Sequence, residues 1–287
     1  MKIRDILNKG DVTISMEVFP PKTEEAFPSV RENVRAIARL NPSFISCTYG
    51  AGGGTRRYTI EINELIMEEG VTSMAHMTCI NSTRADARDQ IRKIRDAGIE
   101  NVLALRGDIP EGMDFPNPRY FEHADQLIAE IRDEYPDVCI GGACYPEKHP
   151  DSRTKDEDIA HIKNKVDAGL DFLTTQMFFD NSIFYNYLFR LRDAGVQVPV
   201  LAGIMPITSR QQIVRSVQLS GCIVPPELMA MADRFGDNPQ AMKQAGILYA
   251  SNQILDLLAN GIKHIHIYTM NKPDVVEGIL NNIKGLI

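Results

Sequence analysis

The chain is 287 residues long and 44% hydrophobic, with a net charge of −7 at pH 7 and a pI near 5.4. That size and apolar content allow one large core, and an acidic balance without a basic run gives nucleic acid no footing. No run of about 18 apolar residues occurs, so no membrane span is expected, and Met1–Leu7 lacks a signal-peptide core, which points to the cytoplasm.

The first regular stretch is 13–18. Ile14, Met16 and Val18 alternate with Thr13, Ser15 and Glu17, the period of a strand, and Pro20-Pro21 ends it. Residues 23–39 have helical spacing through Val30, Val34, Ile37 and Leu40. A second strand at 44–49 leads into a glycine-rich loop at 50–54, then a helix through Ile62, Leu65 and Ile66. Strands at 71–79, 101–106, 138–144, 171–177 and 198–204 alternate with helices at 83–97, 120–135, 155–168 and 183–194, and 115–118 reads as loop. Three helical stretches, 209–219, 226–235 and 238–259, precede an eighth strand at 262–268 and a last helix at 273–287. Gly98, Gly169, Gly195 and Gly261 stand where helices stop and strands follow.

No linker or composition shift divides the chain, so one α/β domain over 1–287 is expected. Alternating strands and helices imply a parallel sheet. A doubly wound sheet fits the alternation, but the count of eight and the polar residues at strand ends favour a (β/α)8 TIM barrel with extra helices between strands seven and eight. Those end residues are Glu17, Thr48, His76, Arg106 with Asp108, Tyr145, Gln176 and Tyr268. In a barrel they converge on one face. The 50–54 loop has neither Rossmann nor Walker spacing.

Glu17 alone reads most simply as a solvated strand-end carboxylate. The sharper reading is a general acid in a partly apolar pocket walled by Phe19 and the prolines. Arg106-Gly107-Asp108 reads equally as an internal ion pair or as a site where Gly107 admits a planar ligand. His149 is a turn histidine or a ligand contact. Asp158, His161 and Lys165 share one helix side, either a solvated face or a phosphate or ribose contact. Gln176 needs a partner, structural or ligand, whereas Met177, Phe178 and Phe179 read as core or pocket wall. The five cysteines are odd in number and lie in strand-like runs, so reduced thiols are expected; neither they nor the histidines have metal spacing, and no metal is expected.

Nine motifs occur in the order found in methylenetetrahydrofolate reductases. They are Glu17-Val18-Phe19-Pro20-Pro21-Lys22, Cys47-Thr48-Tyr49-Gly50-Ala51, His76-Met77-Thr78-Cys79, Leu105-Arg106-Gly107-Asp108, Tyr145-Pro146-Glu147, Lys165-Val166-Asp167-Ala168-Gly169, Thr175-Gln176-Met177-Phe178-Phe179-Asp180, Gly203-Ile204-Met205-Pro206 and Tyr268-Thr269-Met270-Asn271. The whole chain resembles the short bacterial form of that family, the catalytic barrel alone. The resemblance implies a flavoprotein oxidoreductase of one-carbon metabolism and methionine biosynthesis, holding FAD, with FMN the alternative. Hydride would pass from NADH or NADPH through the flavin to 5,10-methylenetetrahydrofolate, giving 5-methyltetrahydrofolate by ping-pong turnover. A homo-oligomer is expected. The alternative is a flavin- or folate-binding subunit of a larger complex, fed by an electron-donating partner subunit.

The resemblance also implies roles. Glu17 matches the general acid, which must hold its proton near neutral pH to open the folate ring, and Asp108 the aspartate near flavin and pterin. Gln176, Gln212 and Lys272 match folate contacts. Thr48, Tyr49, Ala51, His76, Arg106, Gly107, Asp108, Ala124, Tyr145, His149, Asp158 and Lys165 match flavin positions. His123, His161 and Asn164 replace the expected Tyr, Asn and Arg around the flavin; Lys272 replaces Arg, losing its bidentate fork, and Ser216 replaces a folate-stacking Phe.

Overall fold

The computed structural model describes residues 1–49, 56–80, 82–109, 112, 115–117 and 119–287. Its centre is a closed barrel of parallel strands: β1 (Thr13–Val18), β2 (Ile45–Cys47), β3 (Ser73–Thr78), β4 (Asn101–Leu105), β5 (Cys139–Cys144), β6 (Phe172–Thr175), β7 (Val200–Ile204) and β8 (His264–Tyr268). Each strand pairs with the next and β8 returns to β1, giving the (β/α)8 architecture. The join is in register, with Ser15 opposite His266 and Glu17 opposite Tyr268. All of β1 is buried, as expected of a strand covered on both faces. Its apolar set, Ile14, Met16 and Val18, packs into the layer between strands and helices.

The outer layer holds α2 (Phe27–Ala38), α3 (Arg56–Glu68), α4 (Arg84–Asp96), α5 (Ala124–Glu134), α6 (Lys155–Asp167), α7 (Asn181–Asp193) and α11 (Pro273–Ile283). Two boundaries differ from expectation for local reasons. The helix expected at 23–39 splits into a 3-10 turn, Glu24–Ala26, and α2, whose first turn takes Pro28. The helix expected at 120–135 starts only at Ala124, because Tyr120 bridges to Thr83 and Phe121 is buried in the core. The glycine-rich 50–54 loop and Pro118 lie outside the described residues.

A short α1 (Ile3–Leu7) was not foreseen. It closes the N-terminal end of the barrel: Ile3 and Leu7 pack with Phe44, Met74, Leu103, Cys139, Phe172 and Leu201. The Ile3 amide donates to Asn101 Oδ1 at 2.7 Å, and Arg4 pairs with Asp171 at 3.0 Å. The barrel floor is therefore filled with side chains, and chemistry is left to the opposite end.

The extra helices fall between β7 and β8 as expected: α8 (Arg210–Ser220), α9 (Pro226–Phe235) and α10 (Pro239–Ala259). They share a small core of their own, in which Ile213, Leu228, Ala232 and Met242 pack on Met177, Phe179 and Ile207 beyond the strands. Gly246 seats α10 on the β7 exit. A Cβ there would lie 1.8 Å from the Ile207 carbonyl oxygen, so no larger residue fits. Among the described residues no helix is long and apolar enough to cross a membrane.

Candidate active site

Glu17 is buried, 6% exposed, near the C-terminal end of β1. The solvated carboxylate is thereby excluded. Its Oε2 lies 3.5 Å from His76 Nε2 and 3.6 Å from His266 Nε2. A pair of imidazoles stands against the carboxylate, where a Phe19 and proline wall was expected. Both side chains come from strands whose inward parity matches that of Glu17. Burial pushes the His76 imidazole down to about 4; Glu17 pulls it the other way and His266 adds to the fall. At neutral pH His76 therefore offers Glu17 no positive charge. His266 Nδ1 meets Ser15 Oγ at 2.8 Å, and the Ser15 hydroxyl also reaches the Ile265 carbonyl at 3.1 Å. Tyr268 stands edge-on to His266 at 5.4 Å and donates to the Thr175 carbonyl at 2.5 Å. Burial, with Glu17 nearby, raises its phenol far above the ordinary range.

At the same end of the barrel, a cleft of about 430 Å³ opens over the ends of β3, β4 and β5 and against α6, within the size of small-ligand sites. It gathers most of the residues foreseen from sequence. Tyr49, Arg106, Gly107 and Asp108 line one side; His123, Ala124, Tyr145 and His149 line another; Asp158, His161 and Lys165 come from α6. The spacing of Asp158, His161 and Lys165 thus serves a cleft and not a solvated face. Thr48 lies at the end of β2, its amide bonded to the Val18 carbonyl at 3.0 Å. His76 meets Glu17, and Ala51 lies outside the described residues.

Arg106 does form an ion pair, but with Asp151 at 2.6 Å, leaving Asp108 exposed at the cleft rim. Gly107 is required by the chain itself: its φ is +86° and a Cβ would sit 2.8 Å from Ile80 Cγ2. Packing explains this glycine without any ligand. Asp158 is 5% exposed; its Oδ1 accepts from the His149 amide and from Ser152 Oγ, while its buried Oδ2 has no hydrogen-bond partner. Lys165 Nζ donates to the Ala143 carbonyl at 2.9 Å, and burial lowers its affinity for a proton. Burial drives the Tyr145 phenol up to about 12, with Asp108 adding to the rise. His149 packs edge-on against Tyr145 at 4.5 Å, and burial, then Arg106, lowers its imidazole. His149 Nδ1 also accepts from the Asp151 amide, as a turn histidine does, and the side chain lines the cleft. His123 and His161 face each other at 5.0 Å, and burial followed by His161 lowers His123.

The three residues matched to folate contacts do not line this cleft. Gln176 follows β6, and its Oε1 accepts from the Met177 amide at 2.9 Å. Gln212 lies in the first turn of α8 and Lys272 beyond the end of β8, yet both reach Thr208. Gln212 Oε1 accepts from the Thr208 amide and hydroxyl at 2.7 and 2.9 Å, and Lys272 Nζ lies 2.9 Å from Thr208 Oγ1. Ser216 is 4% exposed inside α8. Sequence reasoning missed His266 as a neighbour of Glu17; the usable signal was its shared inward parity across the β1–β8 join.

The chain matches the family model described as "Methylenetetrahydrofolate reductase" over residues 2–284. Methylenetetrahydrofolate reductase (NADH) 1 of Arabidopsis thaliana is 37% identical over 299 residues, covering 100% of this chain and 50% of that protein. The 5,10-methylenetetrahydrofolate reductase of Escherichia coli (strain K12) is 31% identical over 287 residues, covering 98% of this chain and 95% of that protein. The chain thus spans about half the length of the plant relatives and nearly all of the bacterial one. A solved structure of an uncharacterized protein from Clostridium thermocellum, described as binding two copies of 5-methyl-5,6,7,8-tetrahydrofolic acid, superposes with a TM-score of 0.68 at 16% identity, covering 100% of this chain and 99% of that one. That likeness is one of fold. Sequence order, barrel and family match agree: the chain belongs to the methylenetetrahydrofolate reductase family.

Proposed function

We propose that the protein reduces 5,10-methylenetetrahydrofolate to 5-methyltetrahydrofolate, with a flavin in the cleft and reduced nicotinamide as donor. The observation that carries the proposal is Glu17, a buried carboxyl group near the C-terminal end of β1, at the same end of the barrel as the ligand-sized cleft. The residues present fit a flavin. Asp158 keeps an unpartnered buried oxygen for a hydroxyl or ring N–H, and Arg106, Lys165, His149 and His161 supply donors for phosphate. FAD is the cofactor proposed. When bound, the flavin supplies the hydride carrier between nicotinamide and folate.

The chain's own groups do the rest. Glu17 gives a proton from its carboxyl oxygen to the bridging amine nitrogen of the folate, opening the five-membered ring to an iminium. Its burial keeps water from competing for that proton. Asp108, at the rim, sets a negative charge near the cationic carbon that forms. Gln176 orients the bound ring system. Lys272, steadied on Thr208 beside Gln212, takes the anionic glutamate tail as a point charge.

The test is direct. Purified protein should absorb as a flavoprotein, or take up FAD. NADH or NADPH should bleach that absorbance without oxygen, and methylenetetrahydrofolate should restore it with methyltetrahydrofolate as product. A protein that neither carries nor takes up FAD or FMN sinks the proposal.

A further inference from the structure

The exit of β8 carries a feature that the proposed chemistry does not use. Met270 and Asn271 are consecutive non-glycine residues in left-handed backbone, at φ +52° and +54°. Asparagine tolerates that region; methionine does not do so readily. Such strain persists where surrounding bonds over-determine it, and here they do.

The bonds run to β1 on both sides of Val18. Thr269 Oγ1 donates to the Glu17 carbonyl at 2.6 Å, and the Thr269 amide reaches the same oxygen at 3.2 Å. Asn271 grips the next residue but one: the Phe19 amide donates to its Oδ1 at 2.9 Å, and its Nδ2 donates to the Phe19 carbonyl at 2.9 Å. The Asn271 amide in turn donates to Thr269 Oγ1 at 3.1 Å. Residue-to-residue pairing between β1 and β8 ends at Glu17 and Tyr268. It does not continue main chain to main chain, because Met270 and Asn271 turn out of extended backbone and leave the Phe19 amide and carbonyl without β8 peptide partners. The carboxamide of Asn271 offers one donor and one acceptor, as a peptide unit does. It extends the ladder by one rung where the main chain cannot.

The same turn delivers Lys272, whose amide donates to the Thr269 carbonyl at 3.0 Å and whose Nζ meets Thr208. One short segment thus fixes the main chain carrying the acid and launches the cation beside Gln212.

We propose that Thr269 and Asn271 are positioning residues, a clamp that holds Glu17 in register with the Lys272 side of the site. This rests on the reading of Glu17 as the proton donor. A shift of about 1 Å in a reacting group costs on the order of 10²-fold in rate. Loss of the clamp should therefore appear in the step that needs the acid and not in the step that does not.

Four variants test it: Asn271→Gly, Asn271→Ala, Thr269→Val and Thr269→Ser. Asn271→Gly deletes both bonds to Phe19 while relieving the left-handed strain, and Asn271→Ala deletes the bonds and keeps the strain. The clamp requires both to slow flavin reoxidation by methylenetetrahydrofolate at least tenfold, with flavin reduction by the nicotinamide within twofold of wild type. The pH profile of reoxidation should also move, because the displaced acid meets a different environment. Thr269→Val should behave likewise and Thr269→Ser should recover the rate. Reoxidation at the wild-type rate in Asn271→Gly overturns the clamp, as does an equal fall in both half-reactions. A wild-type protein that holds flavin but fails to turn over methylenetetrahydrofolate overturns the proposed function itself, a result distinct from either.

Discussion

Replacing Glu17 by Gln separates a catalytic carboxyl from a structural one, because only the structural reading has stability and both half-reactions fall together. Glu17 is 6% exposed, and its nearest ionisable neighbours are imidazole nitrogens at 3.5 and 3.6 Å. The proposed chemistry needs a carboxyl that brings a proton to the folate. A neutral amide has the same shape and can still donate to an imidazole nitrogen. Glu17→Gln is therefore expected to leave stability within about 1 kcal/mol of wild type, a melting shift of no more than roughly 2–4 °C in a chain of this size. Activity does not survive in the same way. Losing a general acid lowers the folate half-reaction by about 10²–10⁴-fold, which is about 2.7–5.4 kcal/mol of barrier. Anaerobic stopped-flow on the two half-reactions, with calorimetry on the same samples, reads both quantities. A melting point that drops by more than about 5 °C, with both half-reactions falling equally, would falsify the assignment and make Glu17 a structural residue.

The pH dependence of stability should carry the signature of His76. An unfolded histidine takes its proton near 6.5 and the folded one only near 4. Between those values the unfolded chain binds the proton and the native chain does not, so stability falls as pH drops from about 6.5 to about 4. The gap amounts to on the order of 3 kcal/mol, and urea titrations across that range should lose this slope in His76→Asn. Gly107→Ala places a Cβ 2.8 Å from Ile80 Cγ2 at φ +86°; a loss of about 2 kcal/mol or more is expected by denaturant melting, and wild-type stability would show that the turn relaxes freely. Lys272→Ala should raise KM for methylenetetrahydrofolate roughly tenfold, the scale of one charge-assisted contact, with nicotinamide-driven flavin reduction unchanged. Lys272→Arg should hold the tail at least as well, and an Arg variant as weak as Ala would remove the tail-binding role.

The barrel was legible because its strands carry their parity in sequence. Ile14, Met16 and Val18 pack toward the helices, and that same parity puts Ser15 and Glu17 inside. The inserted helices were legible from their spacing. α1 was not, since five residues span too little of a helical period to leave a pattern. In the site, the cleft set emerged nearly whole because its members sit at strand ends or on one face of α6. Partners distant in the chain were hidden: nothing local to Arg106 points to Asp151, 45 residues on. Gly107 shows a limit of sequence, because a glycine demanded by its own neighbours and one demanded by a ligand look identical there. The pairing of Glu17 with His266 depends on the strand register at closure, which is a property of the whole barrel.

The joint formed by Thr208, Gln212 and Lys272 has a consequence for how such a chain is free to vary. It ties the loop after β7 to the turn after β8, so the exits of the two strands are fastened to each other directly and not only through the inserted helices. Those helices carry an apolar filling that reaches beyond the strands. Because the entropy of closing a loop grows only as the logarithm of its length, such an excursion can be lengthened, trimmed or re-furnished at little cost while the strand exits stay fastened. Surface novelty, whether a new neighbour or a new regulator, has a place to accumulate there while the residues at the barrel mouth keep their spacing.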